Sequence, residues 1–299
     1  MLSLHTNAAS LSAQNSVSST QKMLSTSMTR LSTGFRINSA ADDAAGLQIA
    51  TRLKSQTSGM AVAMRNTQNS VSMLQTAEGA LNETGNILMR MKDLATQAAD
   101  GSSSKDDQTA MQAEYDSLAD ELGNIMKNTK FGGTALLNTN TGKLATSVTF
   151  QIGADKAETM AGNFTTELTD VHTKLAATSL RYSGGTVAGS TAVGTDISGT
   201  TEALGATNAN TTIDELSQAI NSVSSLRSKI GATSNRLNHV YNNLSNISTN
   251  TQAAAGRIMD VDFATESAKM TSSQMLMQAG TAMLKQTNQM SSMVMSLLQ

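Results

Sequence analysis

No proline occurs in the 299 residues of this chain, where average usage is about 5%. Proline lacks an amide N–H and its ring clashes with the preceding turn, so it breaks helices. A chain without it can extend helices to any length, and it has no X–Pro bond whose slow isomerisation would delay refolding. The apolar pattern fits long helices. Met60, Thr67, Leu74, Leu81, Leu88 and Ala95 recur every seven residues, and Ala77, Thr84, Met91 and Ala98 supply the second half of the stripe. This 3.5-residue repeat is the seam of a coiled coil or long bundle. It predicts one helix over about 43–99, a rod of roughly 85 Å.

Other segments carry the same signature. Met111, Tyr115, Leu118, Leu122 and Ile125 alternate steps of four and three and predict a helix over 105–129. Leu216, Val223, Ile230, Leu237 and Leu244 recur by sevens in a helix expected to start near 213, and Leu226, Val240 and Ile247 widen its stripe. The C-terminal segment repeats the spacing with Leu276, Met283, Met290 and Leu297. The first segment, about 3–33, is looser, with Leu4, Ala8 and Leu11, then Leu24, Met28 and Leu31. Gly34 and Gly101 stand where a helix C-terminal glycine belongs. Ser104 with Asp107, and Thr212 with Glu215, have capping-box spacing before the third and fourth helices.

The middle differs. VTFQIGA at 148–154 alternates apolar and polar residues, as a half-buried strand does. Leu144, Val148, Phe150 and Ile152 would share its inner face, and a second strand is expected near 158–164. Residues 183–210 are rich in Gly, Ser, Thr and Ala without a helical period, and read as a surface insert. The expected fold is therefore mainly α: long helices from both termini form a hairpin-shaped rod with a small β-hairpin region in the middle.

Hydrophobic residues make up 39% of the chain and aromatics 3%, with no Trp. Such a composition suits narrow helix–helix contacts rather than broad aromatic cores. A net charge of -2 offers no clustered basic excess for nucleic acid. No apolar run approaches the ~20 residues of a membrane span. The N-terminus, MLSLHTNAASLSAQNS, lacks the basic and apolar regions of a cleaved signal peptide. The absence of Cys suits a protein that needs no disulfide.

No constellation for catalysis, cofactor or metal emerges. His5, His172 and His239 are far apart and have no ligand spacing. There is no GxSxG, P-loop, GxGxxG or Cys nucleophile. Asp42 and Asp43 are adjacent, so on a helix they diverge by about 100°, whereas a catalytic pair converges. They read instead as a helix start: Ser39 and Asp42 have capping-box form, and both carboxylates sit where the helix dipole favours negative charge. Met275, Met277, Met283, Met290, Met293 and Met295 form a stripe that reads as packing surface, against other helices or other copies of the chain. Long terminal helices with narrow stripes are marginal alone. They are expected to order fully on assembly, and a heterologous contact between copies would build a filament.

Several long motifs resemble one family. RLSTGFRINSAADDAAGLQIATRLKSQ (30–56) resembles the N-terminal signature of bacterial flagellins. The similarity continues through RNTQNSVSMLQTAEGALNE (65–83) and KNTKFGGTALLN (127–138). It resumes in LRSKIGATSNRLNHVYNNL (226–244), DVDFATESAKM (260–270) and QAGTAMLKQTNQ (278–289), and extends more loosely to all residues outside 139–210. The resemblance implies a filament subunit, with no cofactor, nucleic-acid or membrane partner. Residues 1–40 and 258–299 would form the inner coiled-coil layer around a channel. Residues 41–175 and 210–257 would form a helical-rod layer with the β-hairpin, and 176–209 a short variable insert in place of large outer domains. Subunit packing would use Leu4, Leu11, Leu24, Leu31, Leu276, Met283, Met290 and Leu297. Gly34, Ser39, Asp42 and Asp43 would make the joint between layers. The resemblance further implies unfolded export through a type III channel without a cleaved signal, an export chaperone on the C-terminal helix, polymerisation under a cap protein and an extracellular filament. Arg90, Leu94 and Glu114 match positions through which some flagellins contact a vertebrate Toll-like receptor, while Met89 departs from the family's usual Gln. The alternatives are a hook–filament junction protein, which shares similar ends, and a signalling coiled coil, to which the β segment and the insert do not belong.

Overall fold

The computed structural model describes residues 8–183, 186–187 and 194–297. The helices are α1 (Ala8–Thr33), α2 (Ala44–Ala98), α3 (Lys105–Asn128), α4 (Thr165–Thr178), α5 (Glu202–Met259) and α6 (Phe263–Leu297). Three short antiparallel hairpins lie between α3 and α5: β1–β2 (Lys130–Phe131, Thr134–Ala135), β3–β4 (Val148–Gln151, Thr159–Gly162) and β5–β6 (Tyr182–Ser183, Thr186–Val187). The mainly α fold with a small β region is the expected one. The chain forms two compact units, residues 58–248 and residues 1–57 with 249–299.

In the first of these, the seven-residue stripes do the packing. Leu74, Leu81, Leu88 and Ala95 of α2 are fully buried, as are Leu216, Ile230 and Leu237 of α5 and Tyr115 of α3. Each buried Leu removes enough apolar surface from water to contribute about 1.5–3 kcal/mol. The capping box of α3 is present, with Ser104 and Asp107 each accepting a backbone amide of the other. Val148, Phe150 and Leu144 are buried and Ile152 half-buried, so β3 turns the expected face inward.

Three features differ from the sequence reading. First, α5 starts at Glu202, not near 213. Thr212 is buried, and its hydroxyl donates to the Asp196 carbonyl at 2.6 Å instead of capping a helix. The small Gly205 and Ala209 are buried on the packed face, and packing outweighs the weak helix propensity of the glycine. Second, α4 was not anticipated. It buries Leu168, Val171, His172 and Leu175. His172 binds the Tyr182 hydroxyl at 2.5 Å through Nδ1 and the Leu137 carbonyl at 2.7 Å through Nε2. A carbonyl only accepts, so Nε2 carries the proton, and burial holds the imidazole below its ordinary pKa. Third, both roots of the insert are fixed to one stripe of α3. Ile197 N donates to Gln112 Oε1 at 2.7 Å and Gly194 N to Asp116 Oδ2 at 2.9 Å. Arg181 grips Asp120 through two nitrogens, at 3.0 and 2.6 Å.

Candidate functional site

Between Thr33 and Ala44, and again between Met259 and Phe263, the helices of the other unit stop and restart. At these two breaks the chain segments lie side by side, although they are more than two hundred residues apart in sequence. α1 ends because Gly34 turns into the left-handed region, at φ +75°, while its amide still donates to the Arg30 carbonyl at 2.9 Å. Nothing approaches within 4 Å of where a Cβ would stand, so glycine is needed there for backbone conformation rather than space. Phe35 then pairs antiparallel with Asp260. Arg36 N donates to Met259 O at 2.6 Å and Val261 N to Gly34 O at 3.0 Å. The Arg36 guanidinium adds a bond to Ile258 O at 2.9 Å.

Restarting the helix divides the labour between the two aspartates. Asp43 is the residue that caps α2: its Oδ1 accepts Gly46 N at 2.8 Å. Asp42 turns back and accepts Asn38 N at 3.1 Å, Ser39 N at 2.9 Å and the Ser39 hydroxyl at 3.0 Å. These Ser39 bonds hold the Asp42 carboxyl below the usual carboxylate range. Ser39 therefore closes the turn before α2 rather than starting the helix as a capping box would. Ile37 is tucked under the first turn, 2% exposed. A Cβ on Gly46 would stand 2.9 Å from its Cδ1. We expect Asp43→Ala to lower the stability of this unit by about 1 kcal/mol and Asp43→Asn by less. Thermal denaturation followed by circular dichroism measures both, and equal effects would show that Asp43 does not act as a cap.

The second break is shorter. Asp262, which the sequence reading did not single out, caps α6. Its Oδ1 accepts Ala264 N at 3.0 Å and its Oδ2 the Thr265 hydroxyl at 2.6 Å. The signal was present as Asp262-x-x-Thr265 within DVDFATESAKM. Glu266, one turn into α6 and 4% exposed, accepts the Ser27 hydroxyl of α1 at 2.6 Å. Arg30 stands 3.8 Å from Glu266 and 3.9 Å from Asp42, so one guanidinium faces the end of α1 and the starts of α2 and α6.

Beyond the breaks, α1 and α6 run antiparallel against each other. Ser27 meets Glu266, a Cβ on Gly280 would lie 2.6 Å from Val17, and Ser10 donates to Asn288 at 3.3 Å. The buried positions of this seam are polar: Thr20 and Ser27 on α1, Glu266 and Ser273 on α6. Leu24 and Leu31 are half-buried. Leu11, Leu276 and Met283 point to solvent at 65%, 55% and 66% exposure. Leu4 and the side chains of Met290 and Leu297 lie outside the described residues. In the other unit, Arg90 binds Glu114 through two nitrogens at 3.0 and 2.6 Å on the surface, whereas Leu94 is buried at 3%. Among the described residues no cluster of His, Cys, Asp and Glu could hold a metal, and no helix is long and apolar enough to cross a membrane.

Two protein-family models match the chain: the bacterial flagellin N-terminal helical region over residues 4–141, and the bacterial flagellin C-terminal helical region over 213–298. Flagellin A of Vibrio anguillarum is 34% identical over 381 aligned positions, with the whole of both chains covered. Polar flagellin B/D of Vibrio parahaemolyticus is 34% identical, with 99% of each chain covered. Among solved structures, a putative flagellar hook-associated protein from Vibrio parahaemolyticus superposes with a TM-score of 0.52 at 15% identity, covering 73% of this chain and all of that one. That likeness is one of fold alone.

Proposed function

The chain belongs to the bacterial flagellins, a structural subunit of the flagellar filament, and from that premise we propose how its parts divide the work. The observation that carries the reading is the α1–α6 pair. Its intramolecular seam is polar and narrow, while Leu11, Leu276 and Met283 stay more than half exposed. Apolar stripes left open on paired helices gain free energy when neighbouring copies cover them. Residues 1–40 and 258–299 then form the channel-lining layer and 41–175 and 210–257 the helical-rod layer, to which the end of α4 and the first turns of α5 (Glu202 to Ala209) also belong, so that the insert shrinks to the segment between those two helices. The double break joins the first two layers. Its backbone bonds between 34–36 and 259–261 allow every copy to repeat one geometry whatever side chains flank it.

Delivery follows from the same family reading: export unfolded through a type III channel, a chaperone holding the C-terminal helix, growth under a cap protein and a filament outside the cell. Seeding the purified chain with filament fragments tests the central claim. Electron microscopy should show long filaments growing from the seeds. Growth that stops after a short collar would favour the hook–filament junction reading, and no growth at all would sink both.

A second use of the surface is recognition by a Toll-like receptor through Arg90 and Glu114, which are exposed and already held together. Leu94, being buried, would support that surface from beneath rather than touch a receptor. Arg90→Ala should reduce activation of receptor-bearing reporter cells while leaving filament growth intact. Unchanged activation removes this reading.

A further inference from the structure

We propose that the exposed methionines of the terminal helix pair make assembly of the free subunit sensitive to peroxides, with Met275 and Met283 as the principal sites. The proposal rests on the filament-subunit reading above. It gives a use to a feature which that reading leaves unexplained, the exposed share of the chain's 19 methionines on the terminal helices.

The structure spreads these residues unevenly. In residues 58–248, Met60, Met91 and Met126 are core side chains at 3%, 1% and 0% exposure, and Met89 is the one methionine among the described residues there that is more than half exposed, at 53%. In the terminal unit, Met23, Met28, Met275 and Met283 are 49%, 56%, 61% and 66% exposed. Their position follows from the seam. α6 turns Glu266, Ser273 and Gly280 towards α1, and that leaves Met275, Leu276 and Met283 in solvent. For packing alone, leucine would serve at these positions as well as at 276. Methionine differs in carrying a thioether that oxidants reach.

The chemistry needs only the peroxide. The sulfur lone pair attacks one peroxide oxygen, the O–O bond breaks and a sulfur–oxygen bond forms. The other oxygen leaves as water once it has taken up a proton. Sulfur is oxidised by two electrons and the peroxide is reduced by two. The product is a polar sulfoxide on a stripe that assembly would bury, and a sulfoxide reductase can reverse it. Once neighbouring copies cover the stripe, the sulfurs are out of reach, so the sensitivity belongs to the unassembled subunit.

The test treats the full-length monomer with hydrogen peroxide, maps oxygen uptake by peptide mass spectrometry and measures seeded filament growth. Met275, Met283, Met28 and Met23 should gain oxygen before Met60, Met91 and Met126, and growth should be lost in step with Met275 and Met283. A chain carrying Met275→Leu and Met283→Leu should grow normally and keep growing after treatment. Reductase treatment of the oxidised wild type should restore growth. Oxidation of Met275 and Met283 no faster than Met91, undiminished growth of the oxidised chain, or equal loss in the double variant would each overturn the proposal. Failure of the untreated chain to grow would overturn the filament reading itself, and this proposal with it.

Discussion

A chain ending at residue 262 should not extend filament seeds at all, while its central helices remain folded. The truncation removes α6, and with it Glu266, the partner of Ser27 and Arg30 across the seam. α1 would then be a 26-residue helix with two buried polar positions and nothing to pack on, which is marginal in water. The core of the other unit, from Leu74 to Ala98 on α2 and from Ala209 to Leu237 on α5, contains no residue beyond 248. Electron microscopy of seeded growth and the cooperativity of thermal unfolding separate the two effects. Long filaments from the truncated chain would show that the terminal helices are not the assembly element. Loss of cooperative unfolding would show that the central core depends on them.

Phe164→Ala should be one of the most costly single substitutions in the central unit, at about 3–5 kcal/mol. Phe164 is fully buried at the junction of β4 and α4, and its ring lies beside that of Phe150 around Gly162. With aromatics at 3% of the chain, few rings exist to refill the space. The residue also stands at the N-terminal boundary of α4 without a side-chain cap, so packing rather than capping fixes where that helix begins. Urea denaturation measures the change. A loss below about 1 kcal/mol would mean that the neighbours collapse into the cavity.

What was legible in the sequence was whatever repeats. Every residue of the α2 stripe, from Met60 to Ala98 at steps of three, four and seven, is buried, because a 3.5-residue repeat keeps one face of a helix turned towards its neighbours along the whole length. The β3 face was legible in the same way, as a repeat of two. α4 was missed although Leu168, Val171, His172 and Leu175 carry a helical spacing. It is only 14 residues long and lies between two hairpins, where threonines mask the pattern. The early start of α5 was hidden because its first turns pack with Gly205 and Ala209, which have no apolar signature. At the double break, the sequence showed that Gly34 and the aspartates mark a boundary. It did not show which aspartate caps, since Asp42 and Asp43 differ only in whether the carboxylate turns back to Ser39 or forward to Gly46. Nor did it show that the α1–α6 seam would be polar and the Leu11, Leu276 and Met283 stripe open. That depends on how two distant helices are rotated against each other, which heptad spacing alone leaves free.

The bonds from Gly34 and Arg36 to Val261 and Met259 have one more consequence. They close a loop of more than two hundred residues, and forming them carries the entropy of bringing its ends together. Contacts of such sequence separation form late, after local structure is in place. A chain that emerges from a narrow passage with its N-terminus leading cannot form these contacts until its last forty residues or so are emerging. In the export proposed above, that order of appearance would by itself keep the terminal pair open until the whole molecule had arrived, and the surface proposed to meet other copies would become complete only at the end.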